Sequence, residues 1–247
     1  MWIDTHVHLL DSKKSRPNWA EIDLTLKVAA KKGIDIICLT EHRDSLGFSE
    51  LYDEVFVENK LNGEIRDDGV VELKSGLMIS PGAEVSLVGG GDIGVHASLA
   101  EVMKLSDQPM AYRAVDVLDQ LDSGSGDYVT VAHHLLGAGK WWREFESVIQ
   151  RVSAIEVPGK HSRFIDRYKI LARQYAKACV CGSDAHTWIQ VGVGRTLAAG
   201  VLSELDAIAF VTKLKNDTGC QITVAHVDNA AEEVLKLSGM YREVRRM

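Results

Sequence analysis

Proline is scarce, at four residues in 247, and glycine is ordinary at 21, so a collagenous, low-complexity or disordered chain is excluded. Cysteine is sparse as well. Cys38, Cys179, Cys181 and Cys220 show no CxxC spacing, and three of them sit in the apolar runs ICLT and ACVCGS, which reads as buried free thiols in a reducing compartment. No apolar run approaches the ~18 residues that span a bilayer. The opening MWIDTHVH carries Asp4 and two histidines where a signal peptide would have basic residues and then an apolar stretch, so a cytoplasmic protein with no membrane contact is expected. Positive charge is not in excess either. Against 35 acidic residues there are 28 Lys and Arg, a net charge of −7, and such a chain has no long-range positive field for broad nucleic-acid binding. What the chain does have is 46% apolar residues, enough for a sizeable core in one domain over 1–247, and nine histidines.

Short runs rich in β-branched residues recur at 2–5, 35–40, 77–87, 93–97, 128–132, 154–157, 179–182 and 221–225, and longer amphipathic stretches fill the gaps. That alternation is the pattern of βα units around a parallel sheet or barrel. Behind Asn18, the residues Trp19, Ile22, Leu26 and Ala29/Ala30 form one helical stripe, closed by Gly33 as its C-terminal stop. Similar stripes predict helices near 49–61, 110–121, 141–151, 162–177, 203–215 and 229–238. The polar loops NGEIRDDG and DSGSGD punctuate the chain without dividing it into domains.

Seven of the nine histidines fall at or near the C-terminal end of a predicted strand, where the loops of an α/β barrel converge on one site. His6 and His8 are two apart on a strand, so their imidazoles share a face. Glu41-His42, Glu84, His96, His133-His134 and Asp184-Ala185-His186 each follow an apolar run. A lone histidine at a strand end is usually a hydrogen-bonded structural residue, but the whole set together points to metal. The imidazoles of His6, His8, His42, His96, His133 and His186 with the carboxylates of Glu84 and Asp184 would satisfy two ions sharing a carboxylate, with ligands left for a third. Paired ions suit displacement at phosphorus, because they activate a water and neutralise the phosphoryl oxygens. His134 is expected to point away from its neighbour in an extended strand.

The segments DTHVH at 4–8, TEH at 40–42, GAEV at 82–85, GVHA at 94–97, VAHH at 131–134, GSDAH at 182–186 and GVGRT at 192–196 together resemble the polymerase and histidinol phosphatase (PHP) family. The resemblance implies a distorted (β/α)7 barrel with a metal cluster at the C-terminal edge of its strands. It implies one ion on His6, His8, Glu84 and Asp184, a second on Glu84, His96 and His133 with Glu84 bridging, and a third on His42 and His186. The chain departs from the pattern after the HxH pair, where trinuclear members carry a further His or Asp. Here Lys13 and Lys14 stand in that place and Asp11 lies out of register. The third set is then completed by Asp11 or water, or replaced by a lysine ammonium facing phosphate.

The function expected is hydrolysis of a phosphate ester, a small phosphomonoester first, by a metal-bound hydroxide in a site of two or three Mn, Fe or Zn ions. Glu84, Asp184 and His186 would be the catalytic residues, with His186 or a water assisting the leaving alkoxide. No GxSxG nucleophile is present, in agreement. Arg195, Lys13, Lys14, Arg43 and His161 are the candidate substrate contacts, with Arg16, Lys160 and Arg163 behind them. Arg195 stands first because it follows the DxH loop and arginine can hold phosphate through two parallel hydrogen bonds. Trp141 and Trp142 would either wall the pocket or pack a helix onto the barrel. Two other functions compete: a nuclease or phosphodiesterase acting on nucleic-acid ends, and a metal-binding interaction domain without turnover.

Overall fold

The computed structural model describes residues 1–67, 69–124, 127–198 and the strand 222–227. Its strands are β1 (Trp2–Val7), β2 (Ile36–Leu39), β3 (Glu64–Ile65), β4 (Val71–Glu72), β5 (Met78–Ser86), β6 (Asp92–Ala97), β7 (Tyr128–His133), β8 (Ala154–Pro158), β9 (Ala178–Gly182), β10 (Gly194–Ala198) and β11 (Ile222–Val227). The helices are α1 (Trp19–Lys31), α2 (Phe48–Tyr52), α3 (Leu99–Lys104), α4 (Ala114–Asp122), α5 (Phe145–Val148) and α6 (Ile165–Gln174), with a π-helical turn at Asp53–Val57 after α2. The stretches 203–215 and 229–238, expected to be helical, and Cys220 lie outside the described residues. Among those described, no helix is long and apolar enough to cross a membrane.

The strands follow one another as β11-β10-β1-β2-β5-β6-β7-β8-β9, with β3 and β4 forming a small ribbon off β5. They make the distorted α/β barrel expected, nearly closed. Two departures from a purely parallel wall matter for the site. β6 runs antiparallel to both β5 and β7, and β10 runs antiparallel to β1. The seam between β9 and β1 is closed by backbone bonds just beyond the strands: Asp184 N donates to His6 O at 2.8 Å, and His8 N to Ala185 O at 2.8 Å.

Period two along each strand explains the interior. Ile3, Ile36, Met78, Val129, Val131, Ala154 and Val180 form a buried apolar cluster at the floor of the barrel. Further along the same faces come Glu84 after Met78, His133 after Val131 and Glu156 after Ala154, while Asp184 follows the end of β9 at φ 51°. On β1 the parity must change between Ile3 and His6, and a register irregularity between Asp4 and Val7 does so. A separate, larger apolar cluster packs the helices on the outside, including Ile22, Leu26 and Ala29 of α1, Val117 and Leu118 of α4, and Tyr168 of α6. Gly33, at φ 71°, ends α1 as expected. Cys38 and Cys181 are buried free thiols, and burial pushes both well above the ordinary thiol range.

Candidate metal centre

The residues that the strand ends carry upward converge on Glu84. Its carboxylate lies 2.8 Å from His133 Nδ1, 2.9 Å from His42 Nδ1, 3.0 Å from His134 Nε2, 3.4 Å from His6 Nε2 and 3.7 Å from His8 Nε2. Asp184 also approaches the His6/His8 pair, 3.4 Å from His8 Nε2 and 3.8 Å from His6 Nε2. The His186 ring stacks on His8 with centroids 4.2 Å apart and groups with His8 and His42. Seven of the eight expected ligands, His6, His8, His42, Glu84, His133, Asp184 and His186, are thus brought together.

The eighth, His96, is not. The expectation took the C-terminal end of every strand to face the site, but β6 is antiparallel, so its far end lies deeper in the barrel. His96 is paired with Gly82 and Val129, whereas Asp92, at the start of the strand, is paired with Ser86 and His133. Both ring nitrogens of His96 are buried without a hydrogen-bond partner. Burial, together with the neighbouring His133 and His6, lowers its pKa to about 3, so it is a neutral ring.

His134 corrects the opposite way. It sits at φ 31°, in the left-handed region, so the chain turns and its ring enters the cluster beside that of His133 instead of pointing away. Two further carboxylates join the cluster: Glu156, which the sequence does not single out, and Glu41, which it places beside His42 without a role. Glu156 Oε1 is 2.7 Å from His6 Nδ1, while its Oε2 accepts from His134 N at 3.1 Å. Glu41 Oε1 is 3.2 Å from His8 Nδ1, and its Oε2 accepts from the amides of Leu9 and Leu10. Each fixes the tautomer and ring plane of one imidazole and leaves Nε2 facing inward. The signal for Glu156 was a lone acid on the inner face of the apolar strand AIEV. Substituting Glu156→Gln is expected to weaken divalent-ion affinity about 10–100-fold, measured by calorimetric titration with Mn²⁺; unchanged affinity would show that His6 is held by packing alone.

The charges of this interior explain its pKa shifts. Burial would lower the pKa of His6, but Glu156 and Glu84 outweigh it and hold it up at about 10. Burial and the His6 charge lower His133 to about 4. Glu84 and Glu156, which burial alone would raise, are held well below the carboxylate range by His6 and their other imidazole neighbours. Asp4 is raised to about 6 by burial, although it accepts from the amides of Ser183 and Gly192, both at 2.8 Å. It is a stitch across the seam, not a ligand.

The donor set fits divalent ions. His6 Nε2 and His8 Nε2 face each other at 2.9 Å, and His133 Nε2 and His134 Nδ1 are buried without a hydrogen-bond partner. Ring nitrogens turned on one another between the buried carboxylates of Glu84, Asp184 and Asp92 call for cations. The donors are nitrogen and oxygen with no thiolate, which suits Mn, Fe or Zn.

The expected substrate contacts divide. Lys13 stands at the rim, its ammonium 2.8 Å from Asp44 and 3.1 Å from Ser86 Oγ. Lys14 is exposed nearby. His161 is partly buried with Nδ1 2.9 Å from Tyr168 Oη. Arg43 is buried, stacked 4.7 Å over Phe48 and directed at Met103 O, so it packs the outside of the barrel. Arg195 also fails the expectation. On antiparallel β10 it lies 4.8 Å over the Trp2 ring and donates to Lys32 O at the end of α1, away from the site. Lys160, ranked behind it, is the cation in place: its ammonium meets Asp184 Oδ2 directly. Trp142 is buried against Gly91 and Phe145 and so packs, whereas Trp141 is exposed.

A family model described as PHP-associated matches residues 165–216. No curated protein matches the chain. Among solved structures, the crystal structure of PsfC from Pseudomonas syringae PB-5123 is 34% identical, with a TM-score of 0.88 and 98% of each chain covered. The lesion-specific endonuclease PfuEndoQ from Pyrococcus furiosus is 15% identical at a TM-score of 0.65, covering 90% of this chain and 58% of that one. Endonuclease Q in complex with a 27-mer duplex bearing an abasic lesion aligns similarly, at 15% identity and a TM-score of 0.64, over 88% of this chain and 57% of that one. The likeness to the two endonucleases is one of fold alone. The segments from DTHVH to GSDAH, the barrel and its ligand cluster, and these comparisons agree: the chain belongs to the PHP family of metal-dependent phosphoesterases.

Proposed function

We propose that this protein hydrolyses a small phosphomonoester at the Glu84 centre with two or three Mn, Fe or Zn ions. The observation that carries the proposal is the single buried carboxylate of Glu84 with five imidazoles within 3.7 Å. Divalent ions held there supply Lewis acidity toward phosphoryl oxygens and activate water near neutral pH. The chain's own residues do the rest. Glu84 and Asp184 each approach both rings of the His6/His8 pair and help fix the spacing of the donors. Lys160 presents an ammonium at the mouth of the cluster, where a phosphate oxygen would meet it. His186, 18% exposed, is the ring nearest solvent and can hold a proton for the departing alkoxide.

A small substrate is favoured by the rim. Lys13 is matched at the rim by Asp44, and the exposed Lys140 is neutralised by the buried Asp92, so the rim lacks the uniformly basic run of a nucleic-acid track. Mn²⁺-loaded protein should therefore release phosphate from members of a panel of sugar, nucleoside and amino-alcohol monophosphates. It should act far more slowly on a short single-stranded oligonucleotide. Faster cleavage of the oligonucleotide would move the reading to a nuclease, and no turnover of any ester despite bound metal would make the domain a non-catalytic metal binder.

A further inference from the structure

Asp92 and His134 are brought to the site by two local features that the strand-end pattern does not contain: the reversed direction of β6 and the positive φ at position 134. Glu84, Asp92 and His134 each offer a donor atom, and these atoms lie within 4.8 Å of one another. The group is enclosed, with Asp92 2% and His134 4% exposed. His134 Nδ1 is buried without a hydrogen-bond partner and stands 3.8 Å from Asp92 Oδ2. That gap is too long for a hydrogen bond. It is close to the spacing of two donors on one ion, since ligands about 2.1 Å from a tetrahedral centre are roughly 3.4 Å apart. The Asp92 carboxylate is held for the purpose: Ser86 Oγ donates to Oδ1 at 2.8 Å, and Lys13 donates to Ser86 in turn. Lys140 approaches Oδ2 at 2.5 Å from the solvent side, its own side chain 41% exposed.

We propose that Asp92 and His134 join Glu84 in holding one of the divalent cations, in the place the strand-end pattern assigns to His96. The proposal rests on the metal-centre reading but does not depend on turnover. His96, four residues deeper on β6 and with both nitrogens away from every three-donor group among the described residues, is then a buried interior ring without a ligand role.

The test counts metal. Wild-type protein, Asp92→Asn, His134→Gln and His96→Gln are equilibrated with Mn²⁺, passed through a desalting column and assayed for manganese per chain, with circular dichroism to check folding. Asp92→Asn and His134→Gln should each carry one ion fewer than the wild type, and His96→Gln the full number. A full count in both Asp92→Asn and His134→Gln would reduce Asp92 to a counter-ion of Lys140 and overturn the proposal, as would loss of the ion in His96→Gln alone. Should the polar variants fold poorly, Asp92→Cys loaded with Co²⁺ gives an independent reading. A thiolate-to-cobalt charge-transfer band absent from wild type is expected, and a folded, cobalt-loaded variant without that band would equally overturn the assignment. Because none of these readouts involves an ester, a wrong substrate class would leave the metal count intact.

Discussion

Glu84→Gln is expected to lower turnover about a thousandfold, the loss that follows when an enzyme forfeits several kcal/mol of metal-assisted stabilisation at about 1.4 kcal/mol per tenfold. Five imidazoles approach this one carboxylate, so neutralising it would remove the negative charge that two bridged ions are proposed to share. His42 and His186 lie at the more open side, 17% and 18% exposed, and each serves one group only. Their replacement by Gln should cost distinctly less, together with a smaller loss of bound metal. Steady-state kinetics and elemental analysis on the three variants decide the matter, and equal losses at Glu84 and His42 would rule out a bridging role.

The other large effect is steric and sits beneath the cluster. A Cβ on Gly182 would lie 2.4 Å from His6 Cβ, 2.7 Å from His6 N and 2.9 Å from Glu156 Oε1. The first two atoms belong to the strand itself and cannot swing aside. Gly182→Ala must therefore push β9 from β1 at the place where Asp184 N bonds to His6 O. Overpacking of this kind costs about 1–3 kcal/mol, which corresponds to a melting point about 2–12 °C lower in a domain of this size. Divalent-ion affinity should fall with it, because His6 and Asp184 move apart. A thermal melt and a Mn²⁺ titration that both match wild type would show that the seam is more pliant than its packing indicates.

Much of this architecture was legible in local pattern. All eight strand positions expected from β-branched runs carry strands, and seven of the eight side chains expected to be ligands are brought together at the strand ends. What stayed hidden has specific causes. The direction of a strand is not written in its composition, so DIGVHA reads the same whether its first or last residue meets the site. That ambiguity exchanged His96 for Asp92. The positive φ of His134 depends on the turn that follows β7, which two adjacent histidines do not disclose. Arg195 was misplaced for the same reason as His96, since GRTLA is too short to announce a strand and β10 runs backward. α3 escaped notice although Ser98 accepts from Glu101 N at its start, an N-terminal capping signal that SLAE does contain. Glu41 and Glu156 were visible as acids beside apolar runs, and only the fold shows which imidazole each one steers.

The stitch made by Asp4 also governs when the centre can be completed as the chain folds. Its partners, the amides of Ser183 and Gly192, lie 179 and 188 positions downstream. β1, with His6 and His8, is the first part of the centre to leave the ribosome, yet its outer flank has no partner until β9 and β10 have been synthesised. Contacts of such long sequence separation form late and slowly. The histidine pair is thus the earliest-made and last-enclosed portion of the cluster, and the nascent chain carries it open to solvent through most of translation.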